Sequence, residues 1–524
     1  MIIMLFLMPA DRRQRPMESD GQRMDLFRRT RLAAVSAVGV AAALALSGCG
    51  ASAEAPTETA SGGTLRAAFA GSTTETLDYL HGPTALDYVR ARLVHAPLCE
   101  IDPSAADGVS YGVVQSIDVS ADLSQYTLKV RPGVRFTDGN PVTSQDVLYS
   151  LRAPVVLKGL PFTLLPSRNF DLDAASAPDD STVVLPAISP IADGREILCQ
   201  SMLTIPNGTT EFTVDTPSSG PFTIASFEPG QSTVLHRNPD YYGAAPSLEE
   251  IDLFSIPDAE ARANALRNGQ VDFASGLAPA QAQSLQGAAG ISVTSSELPY
   301  ASYLHFTMDS TKAPFDDPRV REAVKLAVNR DRIVQNVYGG LAFVGDDVPG
   351  LGFPSYDQSL PQRGYDPAAA RQLLADAGAQ GAQVTLTAGP ELPGMLETAT
   401  LIVDDLRAVG IDASLNELPP GQLFADYPAY LAMPFRAGYT PPAMFEPNYK
   451  PGARPDVDAL VLRARSASDA TTRLQASHDA QQLLWQSGDQ LGPVFVPNIS
   501  AARDGVSGVR ELQFPDLSQA SVTR

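Results

Sequence analysis

YTLKVRPGVRFTDGNPVTSQDVLYSL, residues 126–151, is the stretch whose reading decides the fold. Tyr126, Leu128 and Val130 alternate with Thr127 and Lys129, the period of a strand with one face buried. Arg131-Pro132-Gly133 turns the chain, Val134-Arg135-Phe136 is expected to resume as strand, and Asp138-Gly139 turns it again. Thr143 with Asp146 three residues later predicts a capping box opening a helix through Val147 and Leu151. Strand, tight turn and capped helix follow one another within 26 residues. Such mixed α/β patterning predicts helix-flanked sheets.

The same punctuation continues outward. Thr64 to Phe69 reads as the first strand. Asp317-Pro318 predicts an N-cap and first-turn proline ahead of Val320, Ala323, Val324, Ala327 and Val328 on one helical face. Asn329 caps a further helix that stops at Gly339-Gly340. Asp366-Pro367 opens another that ends at Gly378. A helix around Thr400 to Val409 closes at Gly410 and leads into an alternating strand, Ile411 to Leu415. Asp240-Tyr241-Tyr242 reads as a turn and strand start.

At 524 residues, 44% hydrophobic and 19% charged, the chain has the composition of an ordered protein too long for one core. Two or more lobes are expected. The formal charge is -21, and no Lys/Arg cluster follows the first 31 residues, which argues against a nucleic-acid partner. At the N-terminus Arg28, Arg29 and Arg31 precede an apolar run from Leu32 to Ala45, then Leu46-Ser47-Gly48-Cys49. That run is shorter than the roughly 20 residues of a membrane span and reads as an export signal. The Gly50 to Gly63 stretch of Ala, Ser, Thr, Glu, Pro and Gly is a tether. Only Cys99 and Cys199 follow it, an even pair that in an exported protein permits a disulfide or two separately buried thiols.

Residues 126–151 resemble, over their whole length, the signature of the bacterial extracellular solute-binding proteins of family 5, which serve oligopeptide and dipeptide ABC importers. GPFTIASFEPGQSTVLHRNPDYYG from Gly220, PFDDPRVREAVKLAVNRDRIVQNVYGG from Pro314 and GYDPAAARQLLADAG from Gly364 follow in the family order, with GGTLRAAF at Gly62 and Asp456 to Leu460 at the two ends. The resemblance implies a two-lobed periplasmic-binding-protein-like fold, type II, of the large cluster with an extra subdomain. Residues 1–48 would be a lipoprotein signal and 49–63 the tether, with Cys49 diacylated. Lobe I would contain 64–298 and 492–524, with a subdomain inserted at about 98–212, and lobe II would contain 299–491. The crossovers are expected near Pro299 to Ser302 and at Gly492-Pro493.

The implied function is capture of a small, oligopeptide-like solute outside the membrane by a lipid-anchored monomer. Delivery would be to a permease and its ATPase subunits, without a cofactor. A secreted hydrolase or a non-transport envelope protein is the rival, but no nucleophile elbow, P-loop or dinucleotide fingerprint appears. His81, His95, His236, His305 and His478 lack metal-ligand spacing. Asp138, Gly139 and Asp146 have turn and capping roles. Trp485 lies in an apolar helical pattern and reads as core. Candidate ligand contacts are Glu75 and Tyr79 after the first strand and Tyr300 and Tyr303 at the crossover, with Arg436, Tyr439 and Thr440 in lobe II. Peptide-binding relatives carry a Trp followed three residues later by an Asp that pairs with the ligand's amino terminus. Here Arg436 and Tyr439 stand at those positions, so an anionic ligand group is expected on Arg436, unless a protein acid or solvent takes that role.

Overall fold

The computed structural model describes residues 62–82, 84–200, 202–420, 422–424, 426–440 and 454–523. Cys49, the expected signal and all of the tether before Gly62 lie outside the described residues. Thr64–Phe69 is a strand with neighbours on both sides, parallel to Glu250–Ser255 and to Phe273–Ser275. Its Leu65, Ala67 and Ala68 are wholly buried, as a strand covered on both faces requires. The full sheet has seven strands, in the order Ile291–Ser295, Ile499–Arg503, Phe273–Ser275, Thr64–Phe69, Glu250–Ser255, Ser232–Arg237 and Phe222–Glu228.

A second sheet of six strands runs Phe343–Val344, Gln490–Val496, Ser302–Met308, Phe435–Thr440, Gln383–Ala388 and Asp412–Glu417. Helices Pro318–Ala327, Pro367–Asp376 and Met395–Ala408 supply apolar residues to its core. Their starts follow the sequence where a cap is chemical. Asp317, Asn329 and Asp366 each accept a backbone N–H of the helix they open. Met395–Ala408 starts five residues earlier than expected, from Gly394 at φ +80°. The helix after Asn329 ends at Asn336, short of Gly339-Gly340.

The return to the first sheet differs from expectation. Gly492-Pro493 lies inside the strand Gln490–Val496, and the chain changes sheets only between Val496 and Ile499. Strand Gln490–Val496 is buried throughout, between Ser302–Met308 and Phe343–Val344. Its proline stands at a bulge, where the ladder with Ser302–Met308 slips between Leu304 and Phe306. Gly-Pro therefore marks a bulge in a strand, not the end of a lobe.

The decisive stretch forms part of a third, four-stranded sheet, Val114–Val119, Gln125–Val130, Thr182–Pro186 and Ser176–Asp179. Asp146 Oδ2 accepts both the Thr143 N–H and its hydroxyl at 2.7 Å, and Oδ1 accepts the Asn207 N–H at 2.8 Å. Oδ2 is thus committed to the start of helix Ser144–Val156 and Oδ1 to the loop at Asn207. Val134 to Phe136 does not resume as a strand: Arg135 makes only a single bridge to Pro141, because the turn at Gly139 (φ +85°) closes the loop at once. Nor does a strand begin at Tyr241-Tyr242, which follow the turn at Pro239-Asp240 without entering a sheet. Cys99 and Cys199 are joined in a disulfide with Cα atoms 4.6 Å apart. It ties strand Cys99–Ile101 to helix Gly194–Cys199.

Candidate functional site

Strands Ser302–Met308 and Phe435–Thr440 pair antiparallel, with Thr307 opposite Arg436, His305 opposite Gly438 and Tyr303 opposite Thr440. Alternation sends Leu304, Phe306 and Met308 into the apolar core and Tyr303, His305, Thr307 and Arg436 to the other side of the sheet. That polar side is nonetheless buried, with Arg436 only 7% exposed. Arg436 Nη1 donates to the Met433 carbonyl at 3.0 Å, and its guanidinium lies 5.2 Å from the Tyr430 ring centroid. Its Nε has no partner, and no carboxylate among the described residues forms an ion pair with it. Gly438 lets this side close up, since a Cβ there would meet the Tyr430 hydroxyl at 2.7 Å and His305 Cε1 at 2.9 Å.

The electrostatics follow from that buried cation. Burial, and then Arg436, push the His305 imidazole down to about 3, so it is neutral at physiological pH. Burial raises the Asp489 carboxyl to about 6, against the pull of Lys325, Arg321 and Arg436. This face therefore presents a positive charge with an unused donor and a neutral imidazole, an arrangement suited to an anionic oxygen. It offers no assembled nucleophile and base.

The other predicted contacts divide. Glu75 is spent inside the first half: Oε2 accepts from Arg90 at 2.7 Å, and Oε1 accepts from the Ser72 N–H and the Ser255 hydroxyl. Tyr79 is 4% exposed, donates to the Leu203 carbonyl and packs edge-on to Phe212. Both were expected to face ligand. The loop after the first strand instead folds back onto helix Ala85–Val94 and buries them. Tyr300 ends the short 3-10 turn Leu298–Tyr300 between the two large sheets and is half-buried, its phenol pushed up by burial. Tyr303 is buried with its hydroxyl unpaired, pressed against Gly492. Tyr439 projects to the opposite side from Arg436, edge-on to Phe424. Thr440 holds its place opposite Tyr303 in register.

Trp485 also departs from expectation. It is only half-buried in a satellite core, with the Arg363 guanidinium 4.1 Å from its ring centroid. Sequence reasoning missed Glu391. Its Oε1 accepts the Leu423 N–H at 3.0 Å, while the buried Oε2 has no partner. Glu391 follows strand Gln383–Ala388, which runs parallel to its neighbours, and loops at that end of parallel strands are where α/β sheets place ligands. A partly open pocket of about 160 Å³, bordered by Leu77, Arg90, His95 and Phe212, takes all its walls from residues 77–224 and includes no predicted contact. It is separate from the Arg436 face. Among the described residues no cluster of His, Cys, Asp or Glu could hold a metal, and no helix is long and apolar enough to cross a membrane.

Two large sheets joined by two crossovers, with an inserted third sheet, make a two-lobed binding protein of mixed α/β structure. The chain belongs to the bacterial extracellular solute-binding proteins, family 5, whose middle region it matches over residues 108–482. It is 24% identical over 407 residues to the glutathione-binding protein GsiB of Pectobacterium atrosepticum, covering 71% of this chain and 77% of that one. Among solved structures it is similar to DppA of Helicobacter pylori, an ABC transporter-associated periplasmic binding protein in complex with the peptide STSA. The TM-score is 0.72 at 19% identity, over 89% of this chain and 99% of that one. NikA of Brucella suis, in complex with Fe(III)-EDTA, gives a TM-score of 0.74 at 20% identity, over 88% and 100%. The protein is thus an extracellular or periplasmic solute-binding protein of this family.

Proposed function

We propose that the chain captures a peptide-like organic solute by an anionic group seated on Arg436. The observation that carries this reading is an arginine only 7% exposed, with one donor on a backbone carbonyl, Nε buried and unpaired and no ion-pair partner among the described residues. Leaving such a charge unmatched away from water is costly, and a ligand carboxylate offsets that cost. GsiB relatives are named for glutathione and the DppA structure holds a peptide. Both cargoes carry carboxylates. On this reading Thr440, opposite Tyr303 in register, continues the site along the same strand, Tyr439 supports it from the core side, and Tyr300 and Tyr303 stand where the lobes join. The unpaired Glu391 oxygen would take a ligand amine. The lobes are those divided by the crossovers near residue 299 and after Val496.

Calorimetry with reduced glutathione and with short peptides tests the reading. Arg436→Ala is expected to cost about 2 to 5 kcal/mol of binding if the pair is buried. Unchanged affinity for an anionic ligand, or a preferred ligand that is purely cationic, sinks it. The export signal and lipid anchor belong to the same proposal, with the monomer held at the membrane through Cys49. A Cys49→Ala variant should then leave the membrane fraction and lose the lipid mass. Retention on the membrane would place the anchor elsewhere.

A further inference from the structure

Among the described residues, Arg465 of the far half makes side-chain hydrogen bonds to the inserted unit. Arg465 lies in the last turn of helix Pro455–Ser466, which packs with helix Ala470–Ser487 in a core shared with Val348 and Tyr356 of the second half. Its Nε reaches Asp193 Oδ1 at 3.2 Å and its Nη2 donates to Asn169 Oδ1 at 2.7 Å, across 272 and 296 residues of sequence. Its carbonyl accepts the Ala192 N–H at 2.7 Å. Asn169, Ala192 and Asp193 all belong to the inserted unit, so every side-chain hydrogen bond of Arg465 crosses the seam between the halves. The contact is dry as well, with side-chain exposures of 13% for Arg465 and 1% for Asp193.

Two further observations say what kind of contact this is. Phe353 of the second half is 6% exposed and packs into the unit's apolar core, so the unit already rests on that half through an apolar point. The polar contact is one that water could replace, because Arg465, Asn169 and Asp193 are all readily hydrated when apart. The second Asp193 oxygen is buried and has no partner. The contact is therefore incompletely satisfied, unlike a fully paired brace.

We propose that Arg465 is the latch of the closed form, a positioning residue that holds the inserted unit against the second half without touching the ligand. This rests on the reading that the two lobes close around a solute. It concerns closure, whatever the solute is.

The test uses the full chain in a Cys49→Ser background with spin labels at the exposed Glu260 and Glu397, one in each half. Inter-label distances are measured without ligand and with reduced glutathione. The wild type should show a short-distance population. Arg465→Ala should reduce it about tenfold or more, as losing charge-assisted hydrogen bonds implies. Arg465→Lys should retain part of it, keeping the charge on Asp193 but losing the fork to Asn169. Glutathione affinity should fall through a faster off-rate at an unchanged on-rate. An unchanged distance distribution in Arg465→Ala overturns the latch, and so does a lower melting temperature with unchanged distances. If glutathione fails to bind the wild type, the ligand reading fails alone, since the ligand-free distances still decide the latch.

Discussion

Glu196 offers the sharpest test of the electrostatics beside that seam. It lies in helix Gly194–Cys199, is 6% exposed, and its Oε2 is buried without a partner. Burial is the main cause that pushes its carboxyl from 4.5 to about 8; Asp193 adds to the rise, while Arg195 and Arg473 oppose it. An acid whose folded pKa is raised takes up a proton on folding. Its penalty is therefore absent below about pH 4.5, grows as pH rises and is complete above about 8. At pH 7 the carboxylate sits some 2.5 pH units above its unfolded pKa, which sets an upper bound of about 3 kcal/mol at 1.36 kcal/mol per unit. Glu196→Gln removes the charge but keeps the shape. It should stabilise the protein by about 1 to 3 kcal/mol at pH 7.5 and by nearly nothing at pH 4.5. Urea unfolding at pH 4.5, 6, 7.5 and 8.5 reads the difference as a shift in midpoint at constant slope. A variant less stable at pH 7.5, or a gain independent of pH, would refute the reasoning.

Asp347 should behave in the opposite sense. Burial would push its carboxyl up, yet Arg330, Lys325 and Arg363 together hold it below the ordinary range, with ion pairs of 2.7 Å to Arg330 and 2.6 Å to Arg363. Its stabilisation is then present above the unfolded pKa and lost as pH falls through the lower folded value. Asp347→Asn tolerates the same left-handed backbone (φ +74°) and should cost about 3 to 5 kcal/mol at pH 7 by stranding buried cations, as read by urea unfolding. A loss under 1 kcal/mol would contradict this account. For Cys99–Cys199, a separation of 100 residues predicts that the double alanine variant loses about 2 to 5 kcal/mol. Thiol titration of the denatured, unreduced protein should find neither cysteine free, and two titratable thiols would end the pairing.

The sequence disclosed those parts of the fold whose causes are local. Asp317, Asn329 and Asp366 could be named as caps because a short polar side chain before a helical pattern has one low-energy use, and each makes that bond. The strand Thr64–Phe69 and the Thr143–Asp146 box were legible for the same reason. Gly492-Pro493 misled because punctuation residues also serve inside a strand, at a bulge, and only the partner strands reveal which use applies.

The candidate site was less legible, because its chemistry depends on what residues far apart in sequence do to one another. Glu75 resembles a free acid on a loop until Arg90 and Ser255, 15 and 180 residues away, consume it. Glu391 carries no motif at all; it stands out only because its second oxygen is buried with no donor. Arg436 was visible through its departure from the family pattern. Its significance rests on burial and on the absence of an ion-pair partner among the described residues, neither of which a sequence states. The same holds for Arg465, an ordinary arginine in an amphipathic helix whose partners lie 272 and 296 residues earlier. Two arginines, one in a strand and one in a helix, thus differ in what their surroundings leave them to do. Arg436 keeps an unpaired, buried Nε on its sheet face, and Arg465 spends its side chain on Asp193 and Asn169 of the inserted unit.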